Sequence, residues 1–327
     1  MKILLTGGAG YIGSHASLAF LDNDHQVTII DNLSTGNKKL VPLNAKFIEC
    51  DIQNKLIITN LLKKEKFDVL IHFAGFIQVE ESVLNPEKYF KNNTENAIKL
   101  FQICEENGLK NVIFSSTAAA YGNPTDDKPI TEESLLKPLN PYGESKIKTE
   151  QYLQNNLNLK HIILRYFNVA GSDPKMRSGL ISKKATHLIK IASEIVVGKR
   201  DKITIYGNDY STPDGTAIRD YIHVSDLVDI HVKAAEYLIK RQRSETINCG
   251  YGKGYSVKEV LEKFNSVNEK PINIEIGKRR PGDSAMLVSD TTKLKSLFNW
   301  IPKHNDLSFI IKTSIDWEKK LLHIKNA

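Results

Sequence analysis

The chain has 327 residues, 41% of them hydrophobic and 25% charged. That is the balance of a folded soluble protein of one large or two ordinary domains, and it excludes a disordered, collagen-like or disulfide-framework chain. Lys and Arg number 45 against 38 Asp and Glu, a formal charge of +7. The charge is dispersed in short clusters such as Lys63-Lys64, Lys199-Arg200, Arg241-Gln242-Arg243 and Lys278-Arg279-Arg280. These read as solvated helix faces, without the arm or aromatic stacking motif of a nucleic-acid binder; an anionic small substrate is compatible with them. The three cysteines, Cys50, Cys104 and Cys249, are far apart and show no CxxC spacing, so no metal site is expected and a reducing compartment, the cytoplasm, is. The apolar run after Met1 is too short for a signal, and no stretch of about 18 apolar residues suggests a membrane span.

In chain order, Lys2–Thr6, Gln26–Ile30, Lys46–Cys50, Asp68–Phe73, Asn111–Ser115 and His161–Arg165 read as strands. Several are apolar almost throughout, as in a parallel sheet covered on both faces. Ile12, Ala16, Ala19 and Phe20 make one helical stripe, and Phe90, Ala97, Leu100, Phe101 and Cys104 another, opened by Pro86. This alternation predicts an α/β fold with a doubly wound parallel sheet. After about residue 168 loops lengthen, with short helices at about Ala185–Val197, Ser256–Asn265 and Ser308–Leu321 among short strands. The expected division is a Rossmann domain of residues 1–168, with a return at about 218–240, and a smaller α+β lobe of 169–217 and 241–327.

The first strand is joined to the first helix by Thr6-Gly7-Gly8-Ala9-Gly10-Tyr11-Ile12-Gly13. It fits GxGxxG at Gly8, Gly10 and Gly13, and GxxGxxG at Gly7, Gly10 and Gly13. Glycines permit the tight turn and let backbone approach a pyrophosphate, and the helix N-terminus supplies N–H donors. Asp31 ends the second strand, where a carboxylate accepts from adenosine ribose hydroxyls and repels a 2′-phosphate; the cofactor expected is NAD rather than NADP. Asp51-Ile52 ends the third strand, placed either to meet the adenine or to serve as a cap or turn.

Tyr142-Gly143-Glu144-Ser145-Lys146 follows Asn140-Pro141, a helix start that sets Tyr142 and Lys146 on one face at i and i+4. A tyrosine, with a pKa of about 10, is a poor base at neutral pH, and lowering it by about three units needs roughly 4 kcal/mol. One cation about 4 Å away supplies a term of that order at an effective dielectric of about 20. Lys146 and an oxidised nicotinamide are the expected cations, and Tyr142 the base for a sugar hydroxyl, then the acid on return. Thr117 closes the fifth strand-like run, at the carboxyl end where ligands bind such sheets, as a donor to the reacting oxygen.

Gly7–Gly13, Asp31, Asp51, His72-Phe73-Ala74-Gly75, Ser115–Thr117, Tyr121-Gly122, Pro141–Lys146 and Arg165-Tyr166-Phe167-Asn168 together resemble the extended short-chain dehydrogenase/reductase family, in the branch that epimerises UDP-hexoses at C4. The second half continues the likeness in Gly207-Asn208-Asp209-Tyr210, Asp214-Gly215-Thr216, Arg219–Val224 and Arg279-Arg280-Pro281-Gly282-Asp283. The resemblance implies that NAD stays bound to Gly7, Gly10, Tyr11, Ile12, Gly13, Asp31, Asn32, Asp51, Ile52, Phe73, Ala74, Gly75, Asn92, Ser115, Tyr142, Lys146 and Tyr166. It implies UDP-sugar binding by Thr117, Tyr142, Asn168, His187, Leu188, Thr204, Tyr206, Arg219, Tyr221, Arg280, Asp283 and Leu287, with Tyr142, Lys146 and Thr117 catalytic. Guanidinium groups suit a diphosphate; the alternative for Arg219 is a salt bridge with a neighbouring acid.

The family likeness also implies a 4-keto sugar that turns over in the site, and a homodimer pairing the helices near Pro86–Cys104 and Pro141–Asn155. Three positions depart from or refine the pattern. Ile77 stands where some members carry a lysine near the nicotinamide. His187 stands for a common asparagine, either as a phosphate donor or as a packed helical histidine. Leu287 stands where strict UDP-glucose epimerases carry a tyrosine, either leaving room for a 2-acetamido group or filling a core. Ala118-Ala119 replace the Asp-Glu pair of the related 4,6-dehydratases and cannot exchange protons. A non-catalytic NAD sensor on this fold tends to lose the tyrosine, which is kept here.

Overall fold

The computed structural model describes residues 1–326, apart from 125–127, 183–184, 269–270 and 281. The six apolar runs form β1 (Lys2–Thr6), β2 (Gln26–Asp31), β3 (Lys46–Glu49), β4 (Val69–His72), β5 (Asn111–Thr117) and β6 (Lys160–Tyr166). Between them lie α1 (Tyr11–Asp22), α2 (Lys55–Lys64), α3 (Val79–Leu84), α4 (Pro86–Tyr89), α5 (Ala97–Glu106) and α6 (Pro141–Asn155). The second half runs β7 (Asn168–Ala170), α7 (Leu188–Val196), β8 (Ile203–Tyr206), β9 (Ile218–His223), α8 (Val224–Arg241) and β10 (Glu245–Cys249). It ends with β11 (Gly254–Ser256), α9 (Val257–Val267), β12 (Ile274–Gly277), β13 (Met286–Leu287), α10 (Thr292–Phe298) and α11 (Leu307–Asn326).

Seven strands pair in parallel in the order β10-β6-β5-β4-β1-β2-β3. The order reverses between β1 and β4, the switch point at which doubly wound sheets bind ligands. Strand alternation divides the core. Ile3, Leu5, Ile71 and Ile113 join one apolar cluster with Phe20 of α1 and Leu227 and Ile230 of α8. Leu4, Leu70, Val112 and Phe114 face the other way, with Ile58 of α2 and Phe101 of α5. Both faces are therefore covered, which is why β4 is buried at every residue and needs no polar side.

The sequence-derived boundaries need correction in several places. The stripe from Pro86 to Cys104 lies on one continuous helical run, which widens into π-type turns over Phe90–Asn96 between α4 and α5. There the buried Asn93 and Thr94 side chains bond to neighbouring elements, a common cause of such a bulge. The expected return of residues 218–240 is split. α8 packs on α1, whereas β9 pairs with β7, β11 and β13 in a separate four-stranded sheet. Conversely, β10 lies inside the range assigned to the second lobe but is the edge strand of the main sheet, beside β6. The short strands β8 and β12 form their own parallel pair. α7 begins at Leu188 rather than Ala185, and α11 extends beyond Leu321 to Asn326.

Candidate active site

At the switch point the glycine turn closes on itself. Gly7 has φ +75°, and a Cβ there would lie 2.6 Å from the backbone N of Ala74. A Cβ on Gly13 would lie 2.2 Å from the Gly7 carbonyl oxygen. α1 then starts from Gly10 with no side-chain cap and no acid in its first turn, so its positive end and free N–H groups are presented by bare backbone. Asp31 closes β2 and accepts from the backbone N–H groups of Ala9 (2.9 Å) and Leu33 (2.8 Å). Burial raises its pKa, and these two hydrogen bonds oppose that. Asp51 accepts from Asn32 Nδ2 (2.7 Å) and from the Gln53 N–H (2.9 Å), so it makes a turn and ties two expected adenosine-side residues together. It does not cap α2; Asn54 does. Ile52 is buried, and Tyr11 donates to the Gly171 carbonyl at 2.6 Å. This set of a glycine cradle, an uncapped helix start and a carboxylate at the end of β2 fits a dinucleotide.

The second group gathers at the ends of β4 and β5. Asn140 caps α6 by accepting from the Gly143 N–H at 2.9 Å, and Pro141 opens the helix. Tyr142 in the first turn and Lys146 one turn later both face β5. The Tyr142 phenol is set towards the Thr117 side chain, whose hydroxyl accepts from the Ala119 N–H at 3.1 Å, while Lys146 Nζ donates to the Ser115 carbonyl at 2.9 Å and lies 4.9 Å from the Phe114 ring centre. Gly75 admits this ammonium: a Cβ there would stand 3.3 Å from Nζ. Phe73 and Ala74 lead into that glycine from β4, and Asn92 donates to Asn93 (3.2 Å) on its far side.

Burial raises the Tyr142 phenol, and the Thr117 side chain offsets part of that rise; the Lys146 ammonium is anchored at the Ser115 carbonyl. Lys146 itself, 2% exposed, is pushed down to about 8 by burial, with Glu150 opposing. Tyr166 is turned into the core, its hydroxyl 2.5 Å from His231 Nε2.

The expected substrate residues approach from the other lobe. Arg219 on β9 donates to the Ile218 carbonyl (2.8 Å) and stands 3.9 Å from Asp283; Arg280 Nε donates to the same carboxylate at 3.0 Å. The acid partner foreseen for Arg219 is thus Asp283, a residue of the same expected site. Burial lowers the Arg219 pKa, and burial pushes the Tyr221 phenol up to about 12. Arg280 also lies over the Tyr206 ring at 4.6 Å, at the end of the strand that carries Thr204. Asn168 opens β7 in register with Tyr221. His187 stands at the cap position just before α7, whose first residue is Leu188. Leu287 is in register with Arg219 and packs, partly exposed, on the apolar cluster of Ala118, Tyr121, Ile130 and Phe167. That cluster includes Ala118 and Tyr121 of the turn that follows Thr117. Pro281 lies outside the described residues.

The model of the NAD dependent epimerase/dehydratase family matches residues 3–250. The chain belongs to that family. UDP-glucose 4-epimerase of Azospirillum brasilense is 43% identical to it, over 98% of this chain and 92% of its own length. The solved UDP-Glc/GlcNAc 4-epimerase of Campylobacter jejuni is 46% identical with a TM-score of 0.84, covering 98% of this chain and 99% of its own. UDP-glucose-4-epimerase from Stenotrophomonas maltophila, solved with bound NAD and formylated UDP-arabinopyranose, is 30% identical with a TM-score of 0.94, covering 99% of each chain.

In this epimerase/dehydratase chain the sequence reading missed the residues that hold the site from behind. Asn93 accepts from the Phe76 N–H (2.9 Å) and donates to the Phe76 carbonyl (2.9 Å) and the Ser145 hydroxyl (3.2 Å), locking the loop after Gly75 to α6. Tyr89, fully buried, sets its ring edge-on to Tyr142 at 6.4 Å. A buried Arg165–Glu150 pair lies beneath Lys146. The available signal was a polar residue on the inward side of a helical stripe, as at Asn93, which amphipathic periodicity treats as noise.

Proposed function

We propose that the chain is an NAD-dependent 4-epimerase of UDP-hexoses, interconverting UDP-glucose and UDP-galactose and also their 2-acetamido counterparts. The observation that carries the reading is the gathering of Tyr142, Thr117 and Lys146 beside the glycine cradle at the carboxyl ends of the sheet. When bound, NAD supplies the acceptor, and then the donor, of the electron pair at C4, and in its oxidised form a positive charge beside the site.

The chain's own residues move the proton. Thr117 holds the 4-hydroxyl against Tyr142, Tyr142 takes its proton as the sugar is oxidised, and the 4-keto sugar has only to present its other face before Tyr142 returns the proton. A phenol held high by burial needs nearby positive charge to ionise, and Lys146 retains its own at neutral pH. Arg219 and Arg280 are the groups for the diphosphate, with Asp283 holding both in place. Asp31 favours a free 2′-hydroxyl, hence NAD over NADP. Ala118 and Ala119 give the turn after Thr117 no acid–base pair, so elimination of water has no proton carrier there.

Leu287 beside that turn, smaller than tyrosine and without a hydroxyl, supports acceptance of the acetamido sugars. A homodimer belongs to the same reading: α3, α4, the π-type turns and α6 pack into one surface that leaves Val83 and Leu84 exposed. So does a cytoplasmic location, supported by three free, buried cysteines; no helix among the described residues is long and apolar enough to cross a membrane. The test is NMR and mass analysis of products from UDP-glucose, UDP-galactose, UDP-GlcNAc and UDP-GalNAc, with no NAD added. Each pair should interconvert at unchanged mass. Loss of water from the sugar would make the chain a dehydratase, and inert acetamido sugars would remove the wider specificity.

A further inference from the structure

Behind the reacting groups, α6 is fastened to the sheet by a buried charge pair that the proton transfer itself does not use. Glu150 lies one helical turn beyond Lys146, on the same face of α6. Its carboxylate accepts from Arg165 Nε at 3.1 and 3.2 Å and from Arg165 Nη2 at 2.6 Å. Arg165 belongs to β6 and is in register with Ser116 of β5, whose hydroxyl donates to the same Glu150 carboxylate. Arg165 Nη1 reaches on to the Tyr121 hydroxyl at 2.9 Å, and Tyr121 donates to Asn248 at 2.7 Å. Glu150 is 1% exposed and Arg165 and Ser116 are each 2% exposed. A buried pair of this kind is weak evidence of a gain in stability, since desolvation offsets much of the attraction; what it does fix is geometry.

Ser116 sits between the two residues that receive α6. Its neighbour Ser115 presents the carbonyl that takes Lys146, and its neighbour Thr117 presents the hydroxyl that meets Tyr142. We infer that Glu150, with Ser116 and Arg165, is a positioning residue of the 4-epimerisation: its carboxylate sets the end of β5 against α6, and so holds Thr117, Tyr142 and Lys146 in mutual register. The inference rests on the epimerase reading above. Glu150 has a second action through the field it exerts on Lys146. The titratable groups that interact with that ammonium are Glu150 on its own helix and His72 on β4, with the Ser115 carbonyl and the Phe114 ring of β5 beside it. Glu150 favours the charged ammonium against burial, and His72 is kept neutral by its own burial and by Lys146.

Two variants test it, with the wild-type enzyme as the control for the reaction. Ser116→Ala removes the tie between Glu150 and β5 without unpairing a charge. It should lose roughly tenfold or more in kcat on UDP-galactose, the scale of a small misplacement of reacting groups, with KM, bound NAD and melting temperature held near wild type. Glu150→Gln should lose at least as much, and the alkaline fall of its kcat should move to lower pH, a change that loosened packing alone would not produce. A Ser116→Ala enzyme with wild-type kcat overturns the proposal, whether or not Glu150→Gln folds. So does a folded Glu150→Gln enzyme whose alkaline limb is unmoved. A wild-type enzyme that turns over no UDP-hexose would instead remove the functional reading beneath it.

Discussion

Individual side chains carry the chemistry, and their environments set its pH range. Lys146 is held at about 8 by burial, below the ordinary lysine value, so the ammonium beside Tyr142 is lost as pH rises through about 8. kcat on UDP-galactose should therefore be level near neutral pH and fall above about 8, and a steady-state pH profile checks it. Leu287 lies in register with Arg219, against the turn that follows Thr117. Leu287→Tyr should cut turnover of UDP-GalNAc by tenfold or more while sparing UDP-galactose, about 1.4 kcal/mol of discrimination or more. Parallel assays of the two sugars decide it; equal losses on both would make Leu287 a packing residue. At this scale the sequence was most informative where spacing encodes chemistry, as in Tyr142 and Lys146 four apart on a proline-opened helix. It was blind to direction. Nothing in a one-dimensional pattern says that Lys146 would turn to the Ser115 carbonyl, or that Tyr166 would turn inward to His231.

At the scale of elements, the glycine turn is constrained by contact distances that admit no side chain. Gly13→Ala would set a methyl 2.2 Å from the Gly7 carbonyl oxygen. Relief requires the turn to open, at a cost of about 1–3 kcal/mol as in other overpacked sites. The expected result is a lower melting temperature and protein that purifies without NAD, read from its absorbance and by mass spectrometry. Strand positions in the first half were legible mainly where a central strand is buried on both faces and therefore largely apolar, as Leu4, Leu70 and Val112 show. The second half was less legible for the opposite reason. β10, ETINC, is an edge strand interrupted by polar residues, and β9, IRDYIH, is a polar strand that carries the proposed substrate residues Arg219 and Tyr221. The π-type turns at Phe90–Asn96 were hidden because the apolar stripe continues through them, while the buried Asn93 and Thr94 side chains there bond outward to Phe76 and Ser145.

Over the whole molecule, burial leaves several histidines neutral in the folded state. His15, His161 and His231 are pushed down to about 4, and His72 and His223 to about 3, in each case chiefly by desolvation. A folded-state pKa below the unfolded value of about 6.5 means that the unfolded chain binds more protons across that interval. Stability contributed by these groups is complete above about pH 6.5 and is lost as pH falls toward 3–4. The melting temperature should hold between pH 7 and 8 and drop steadily below about 6.5; a flat profile down to pH 4 would contradict the neutral, buried assignment. In the proposed function, a dinucleotide cradle and a UDP-sugar lobe meet at one phenol, Tyr142. The most direct measurement is turnover of UDP-galactose by Tyr142→Phe, purified and checked for bound NAD. kcat should fall by about 10²–10⁴-fold with NAD retained, the contribution of a positioned acid–base group; wild-type turnover by an NAD-loaded Tyr142→Phe enzyme would contradict it.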